Sequence, residues 1–141
     1  MNGAPSDDAN SPPRARLRVL AAEDNAGVRL ILKAILGEVA EIVLAANGAE
    51  AVQAFESDTF DLVLMDLRMP VMNGLAAAAA IRAREAAMGA PRTPIAILSG
   101  GDDVSDRRHA MAAGADHFIA KPLSAESLLT GVETTLALAR R

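Results

Sequence analysis

The chain has 141 residues, about half of them apolar, and a net charge of −4, which fits one domain with a sizeable core. It has no cysteine, which excludes disulfides, thiolate metal sites and a cysteine nucleophile. The acidic balance and an aromatic content of three Phe argue against direct nucleic-acid binding or a stacked flavin, and no apolar run reaches the ~18 to 20 residues of a membrane span.

Residues 1–16, MNGAPSDDANSPPRAR, are rich in Pro, Ser, Asp and Asn and lack an apolar signal core. They read as a disordered tail or an interdomain linker, and with no secretion signal a cytoplasmic location is expected. The folded domain is expected over 17–141. Its first strand is LRVLAA (17–22), which ends on Glu23-Asp24. In 26–37, Val28, Ile31, Leu32 and Ile35 fall at helical spacing as an inward face, and Gly37 offers a stop. The second strand, EIVLAA (41–46), brings no charge to its end, and a short helix over 49–57 turns Val52 and Phe55 one way.

The third strand, FDLVLM (60–65), ends on Asp66, with Pro70 and Gly74 shaping the loop that follows. An Ala-rich helix covers 75–88, with Leu75, Ala78 and Ile81 inward. The fourth strand, TPIAIL (93–98), ends on Ser99, Gly100 and Gly101. A weaker helix follows over 103–113, carrying Val104 and Met111. The fifth strand, ADHFIA (115–120), ends on Lys121-Pro122. The last helix, 124–139, starts at Ser124 and turns Leu128, Leu129, Val132 and Leu136 inward.

The strand runs are continuously apolar rather than alternating, as expected of parallel strands covered on both faces. Five βα units make a doubly wound α/β domain with helices on both faces, since a closed barrel needs eight. Ligands bind such sheets at the carboxyl ends of the strands. Four of the five runs deliver a polar or charged group there. Asp24 and Asp66 at about 5 Å would repel by roughly 3 kcal/mol at an effective dielectric of about 20. Such a cluster must raise a pKa, bind a cation or recruit Lys121. Oxygen-only ligands suit Mg²⁺ or Mn²⁺. A cation, a lysine and a hydroxyl beside one carboxylate are suited to a phosphoryl group, with Asp66 as nucleophile.

Each residue alone has an ordinary reading. Glu23-Asp24 suits a helix start, Asp66 a turn, Ser99 a loop hydroxyl and Lys121-Pro122 a turn, while His109 and His117 have no ligand spacing. Their joint placement at four strand ends carries the functional reading.

The stretches AAEDN (21–25), AANGAEAV (45–52), DLVLMDLRMPVMNG (61–74), AILSG (96–100) and GADHFIAKPL (114–123) resemble the receiver domain of two-component response regulators, from about Leu17 to Leu138. The resemblance implies a flavodoxin-like sheet of order 2-1-3-4-5. It implies that Asp66 accepts a phosphoryl group from a phosphohistidine on a histidine kinase or histidine phosphotransfer protein. Glu23, Asp24, Asp66 and the backbone carbonyl of Arg68 would hold Mg²⁺. Lys121 would pair with the phosphoryl group, and its bond to Pro122 is expected to be cis. Ser99 and Phe118 take the hydroxyl and aromatic switch positions. Asn25, Ala26, Val28, Arg29, Leu30, Pro122 and Leu123 are expected to meet the phosphodonor.

Three positions depart from the commonest pattern. Gly100 and Gly101 follow Ser99 and are expected to loosen its loop. Phe118 lacks a tyrosine hydroxyl. Arg68 puts a cation beside the site, where it could engage the phosphoryl group or a nearby acid and change the phosphorylated lifetime.

No DNA-binding or enzymatic output module is expected within these residues. That leaves a single-domain regulator or a piece of a larger protein such as a hybrid histidine kinase. A Mg²⁺-dependent aspartyl-phosphate phosphatase of the haloacid dehalogenase kind is the enzymatic alternative. It needs a general-acid Asp two residues after the nucleophile, where Arg68 stands.

Overall fold

A computed structural model describes residues 16–100 and 104–139. Strands β1 (Leu17–Ala22), β2 (Ala40–Ala45), β3 (Leu62–Asp66), β4 (Ile95–Ser99) and β5 (His117–Ala120) alternate with helices α1 (Ala26–Leu36), α2 (Gly48–Ser57), α3 (Gly74–Met88), α4 (Val104–Ala112) and α5 (Ala125–Ala139). All strand pairs are parallel and run in the order β2-β1-β3-β4-β5, as expected.

Successive residues of one strand point to opposite faces, so a doubly covered sheet has two cores. On one face Leu20, Val63, Met65, Ile95, Ile97 and Phe118 pack with Ala51 of α2, Ala77, Ala78 and Ile81 of α3 and Ala110 of α4. On the other, Val19, Ala21, Leu62, Leu64, Leu98 and Ile119 pack with Leu32 and Leu36 of α1 and Leu128 and Val132 of α5.

The strands β3, β4 and β5 begin two residues later than their apolar runs. Residues ahead of them close the sheet with side chains instead. Asp61 Oδ2 accepts from the Arg18 amide at 2.8 Å, and Asp116 Oδ2 accepts from the Ile95 amide at 2.9 Å. The strand β2 begins one residue earlier, at Ala40.

Three helix faces differ from expectation. Ile31 and Leu129 are exposed, because Leu36 and Gly131 complete the buried stripes of α1 and α5. Val104 and Met111 are exposed too, and α4 buries only Ala110. The proposed tail at 1–16 lies outside the described residues except for Arg16, whose Nη2 donates to the carbonyls of Gly37 and Ala40 at 2.7 Å. Gly101 and residue 103 also lie outside them.

The loop after β3 is shaped by two close approaches. A Cβ on Gly74 would collide with the Asp66 carbonyl, and one on Gly48 with the Met72 carbonyl. Between them the Met72 amide donates to the Pro70 carbonyl at 2.7 Å, which forces Val71 to φ 69°. Three helices are capped by asparagine: Asn25, Asn47 and Asn73 accept from the amides of Val28, Glu50 and Ala76.

Candidate functional site

The four polar strand ends meet at one edge of the sheet. The register sets Ala22 of β1 beside Met65 of β3, so Glu23 follows next to Asp66. Carboxylate oxygens of Glu23, Asp24 and Asp66 lie within 4.8 Å of one another. Lys121, just beyond β5, donates from Nζ to Glu23 Oε1 at 2.7 Å and to Asp66 Oδ1 at 3.1 Å.

The backbone fixes these acids in place. Glu23 is 1% exposed, and its Oε2 accepts from the Asn25 amide at 3.1 Å. Arg29 Nη1 donates to the carbonyls of Glu23 and Asp24 at 2.7 and 3.0 Å, pinning the loop between β1 and α1. Asp24 is exposed and opens onto a cleft of about 550 Å³ that Arg68, Asn73, Asp106 and His109 also line.

Burial, and then the charge of Glu23, push the Asp66 carboxyl up to about 6, against the hydrogen bond and charge of Lys121. Burial lowers the Lys121 ammonium, but its bonds to Glu23 and Asp66 and their charges outweigh burial and raise it. The site therefore holds a charged lysine and a carboxyl that ionises reluctantly.

Ser99 is the buried last residue of β4 and pairs with Ala120; the Lys121 amide donates to its carbonyl at 2.7 Å. Phe118 is buried on the α3 and α4 side, with the Arg107 guanidinium 4.9 Å from its ring centre. The Lys121–Pro122 bond is cis, as expected. Arg68 is 76% exposed and its Nη2 donates to Asp106 Oδ2 at 2.9 Å. Gly100 is exposed, and a Cβ there would meet nothing within 4 Å.

Three carboxylates with no imidazole or sulfur among them make a hard-oxygen donor set, which fits Mg²⁺ or Mn²⁺.

Residues 19–133 match the response regulator receiver domain family. The chain belongs to this family. This receiver domain is 37% identical over 125 residues to the sensor protein GacS of Pseudomonas syringae pv. syringae. That match covers 88% of the chain but only 14% of the length of GacS. The receiver domain of the Pseudomonas aeruginosa sensor histidine kinase PA1611, solved with a magnesium ion coordinated in its active site cleft, superposes with a TM-score of 0.77. It is 31% identical, over 87% of this chain and 99% of that one. The receiver domain of the Saccharomyces cerevisiae response regulator Ssk1, solved with the histidine phosphotransfer protein Ypd1, gives a TM-score of 0.78. It is 30% identical, over 86% and 92% of the two chains.

Around the site of this receiver domain, sequence reasoning missed three contacts. Arg29, expected at the phosphodonor surface, also holds two loop carbonyls. Asp106 and Arg107 carried no signal, because their partners Arg68 and Phe118 lie 38 and 11 residues away and on other elements. Among the described residues no helix is long and apolar enough to cross a membrane.

Proposed function

We propose that Asp66 is the phosphoacceptor of a two-component or phosphorelay pathway. The observation that carries this reading is the position of Asp66 at the end of β3, with Glu23 and Asp24 oxygens within 4.8 Å and Lys121 Nζ at 3.1 Å. An Asp66 carboxylate oxygen attacks the phosphorus of a phosphohistidine. The new P–O bond forms as the P–N bond breaks, and the imidazole nitrogen leaves with the electron pair and takes up a proton.

Lys121 holds its ammonium where phosphoryl oxygens arrive, and Ser99 supplies a hydroxyl at the adjacent strand end. Phe118 takes the packed position that reads the movement of Ser99. Glu23, Asp24, Asp66 and the Arg68 carbonyl would hold Mg²⁺ or Mn²⁺. When bound, the cation neutralises the acid cluster and the transferring oxygens. Likeness to the PA1611 receiver, with its magnesium ion, supports Mg²⁺.

Likeness to the Ssk1 receiver solved with Ypd1 supports a histidine phosphotransfer protein or kinase as donor. Exposed Asn25 at the cap of α1, Ala26 and Leu30 on its first turns, and exposed Pro122 after β5 offer it a surface. The match to a 14% share of the sensor protein GacS supports a receiver that is one piece of a larger sensor protein such as a hybrid kinase, with 1–16 as its linker. A cytoplasmic location goes with a histidine donor charged from ATP. The domain's own chemistry is transfer onto Asp66 and hydrolysis of the resulting acyl phosphate. A phosphatase would need a general acid where Arg68 carries a permanent charge.

The test is phosphoryl transfer from a phosphorylated histidine phosphotransfer protein. The expected result is label on the chain that requires Mg²⁺, stops with a chelator and is absent from Asp66→Asn. Label that survives Asp66→Asn overturns the assignment.

A further inference from the structure

Helix α4 is the least anchored helix of the fold. Its one buried residue is Ala110, while Val104 and Met111 are 68% and 46% exposed. A single buried methyl side chain holds a helix weakly. Its position therefore depends on side-chain ties to its neighbours. Two such ties come from adjacent residues, and both run to the site. Asp106 accepts from Arg68 at 2.9 Å, and Arg107 lies over the Phe118 ring at 4.9 Å.

Resting on the function proposed above, we propose that the Arg68–Asp106 ion pair is a phosphorylation-sensitive tie. A phosphoryl group on Asp66 draws Arg68 away from Asp106, and α4 loosens. Arg68 stands two residues after Asp66, at the rim of the cleft that Asp24 and Asp106 also line. A phosphoryl group offers three acceptor oxygens and roughly 1.5 to 2 negative charges against one on Asp106, and a guanidinium fits it in bidentate fashion.

Breaking the pair costs little on the Arg68 side, because that side chain is 76% exposed and gives up almost no packing. Asp106 differs. Its side chain is 15% exposed, so loss of its cation leaves a half-buried carboxylate facing new negative charge across the cleft. Outward movement of the N-terminal half of α4 relieves both penalties. That movement also slides Arg107 off Phe118, which joins the helix to the aromatic position on β5.

The test is hydrogen exchange over 104–112, followed by mass spectrometry, in wild type, Asp106→Asn and Arg68→Ala, before and after acetyl phosphate with Mg²⁺. Intact mass scores phosphoryl uptake in the same samples. In wild type, uptake is expected to speed α4 exchange about two- to fivefold, the range an exposed pair supports. Both variants are expected to show the faster exchange without phosphate, and uptake by Asp106→Asn to add nothing further. Wild type that gains the phosphoryl mass with α4 unchanged overturns the tie alone, as do variants whose α4 exchanges at the wild-type rate. Wild type that gains no phosphoryl mass overturns the proposed function, and the tie with it.

Discussion

Lys121 Nζ lies 3.1 Å from Asp66 Oδ1, across the gap between β5 and β3, and is shared with Glu23 at 2.7 Å. One ammonium therefore serves two carboxylates that are almost wholly out of water. Lys121→Ala leaves both without a counter-charge. In chelator-treated protein at pH 7 it is expected to lose about 2 kcal/mol of stability, measured by urea unfolding, less than for a fully buried pair because Lys121 is partly exposed. Added Mg²⁺ is expected to restore part of the loss. A variant as stable as wild type in chelator would show that the lysine does not balance these acids.

The raised Asp66 carboxyl gives a pH dependence with a definite sign. The metal-free folded protein binds a proton at Asp66 up to about pH 6, whereas the unfolded chain releases it near 4. The protonated site thus favours folding on the acid side, and this contribution fades as pH rises through about 6. Asp66→Asn is expected to match wild type near pH 4 and to exceed it by about 2 kcal/mol at pH 8 without metal. Mg²⁺ affinity is expected to weaken as pH falls below about 6, which calorimetric titration reads. Equal stability of the two proteins at both pH values would contradict the shift.

At the opposite end of the sheet, Arg82 bonds Glu85 Oε1, the Thr93 and Gly114 carbonyls and Asp116 Oδ2 at 2.7 to 2.9 Å. Glu85 is buried, so Arg82→Met strands a charge. The expected loss is about 3 kcal/mol, read as a lower urea midpoint with phosphoryl uptake by the folded fraction unchanged.

Val71 is 83% exposed and held at φ 69°, where a β-branched residue is strained. Val71→Gly removes the strain and no packing. Against the entropy glycine adds to the unfolded chain, a net gain of about 1 kcal/mol is expected in thermal unfolding. A loss would show that the turn is not strained.

The sheet was legible because strands covered on both faces must be apolar at every position, so LRVLAA and FDLVLM could be little else. The site was legible because Glu23, Asp66, Ser99 and Lys121 each follow directly on such a run. Packing of α4 was not legible. Val104 and Met111 are its large apolar residues, yet small Ala110 lets the helix approach the sheet. The Asn25 cap was also hidden, because the adjacent Asp24 offered an equally good capping side chain. Arg68 drew attention by its place after Asp66, but no local pattern names Asp106 as its partner.

The most direct measurement is intact mass after incubation with acetyl phosphate and Mg²⁺, followed by mapping of the modified peptide. The account predicts one added phosphoryl mass, located on Asp66 and abolished in Asp66→Asn and by chelator. Modification at another residue, or full modification of Asp66→Asn, would contradict it.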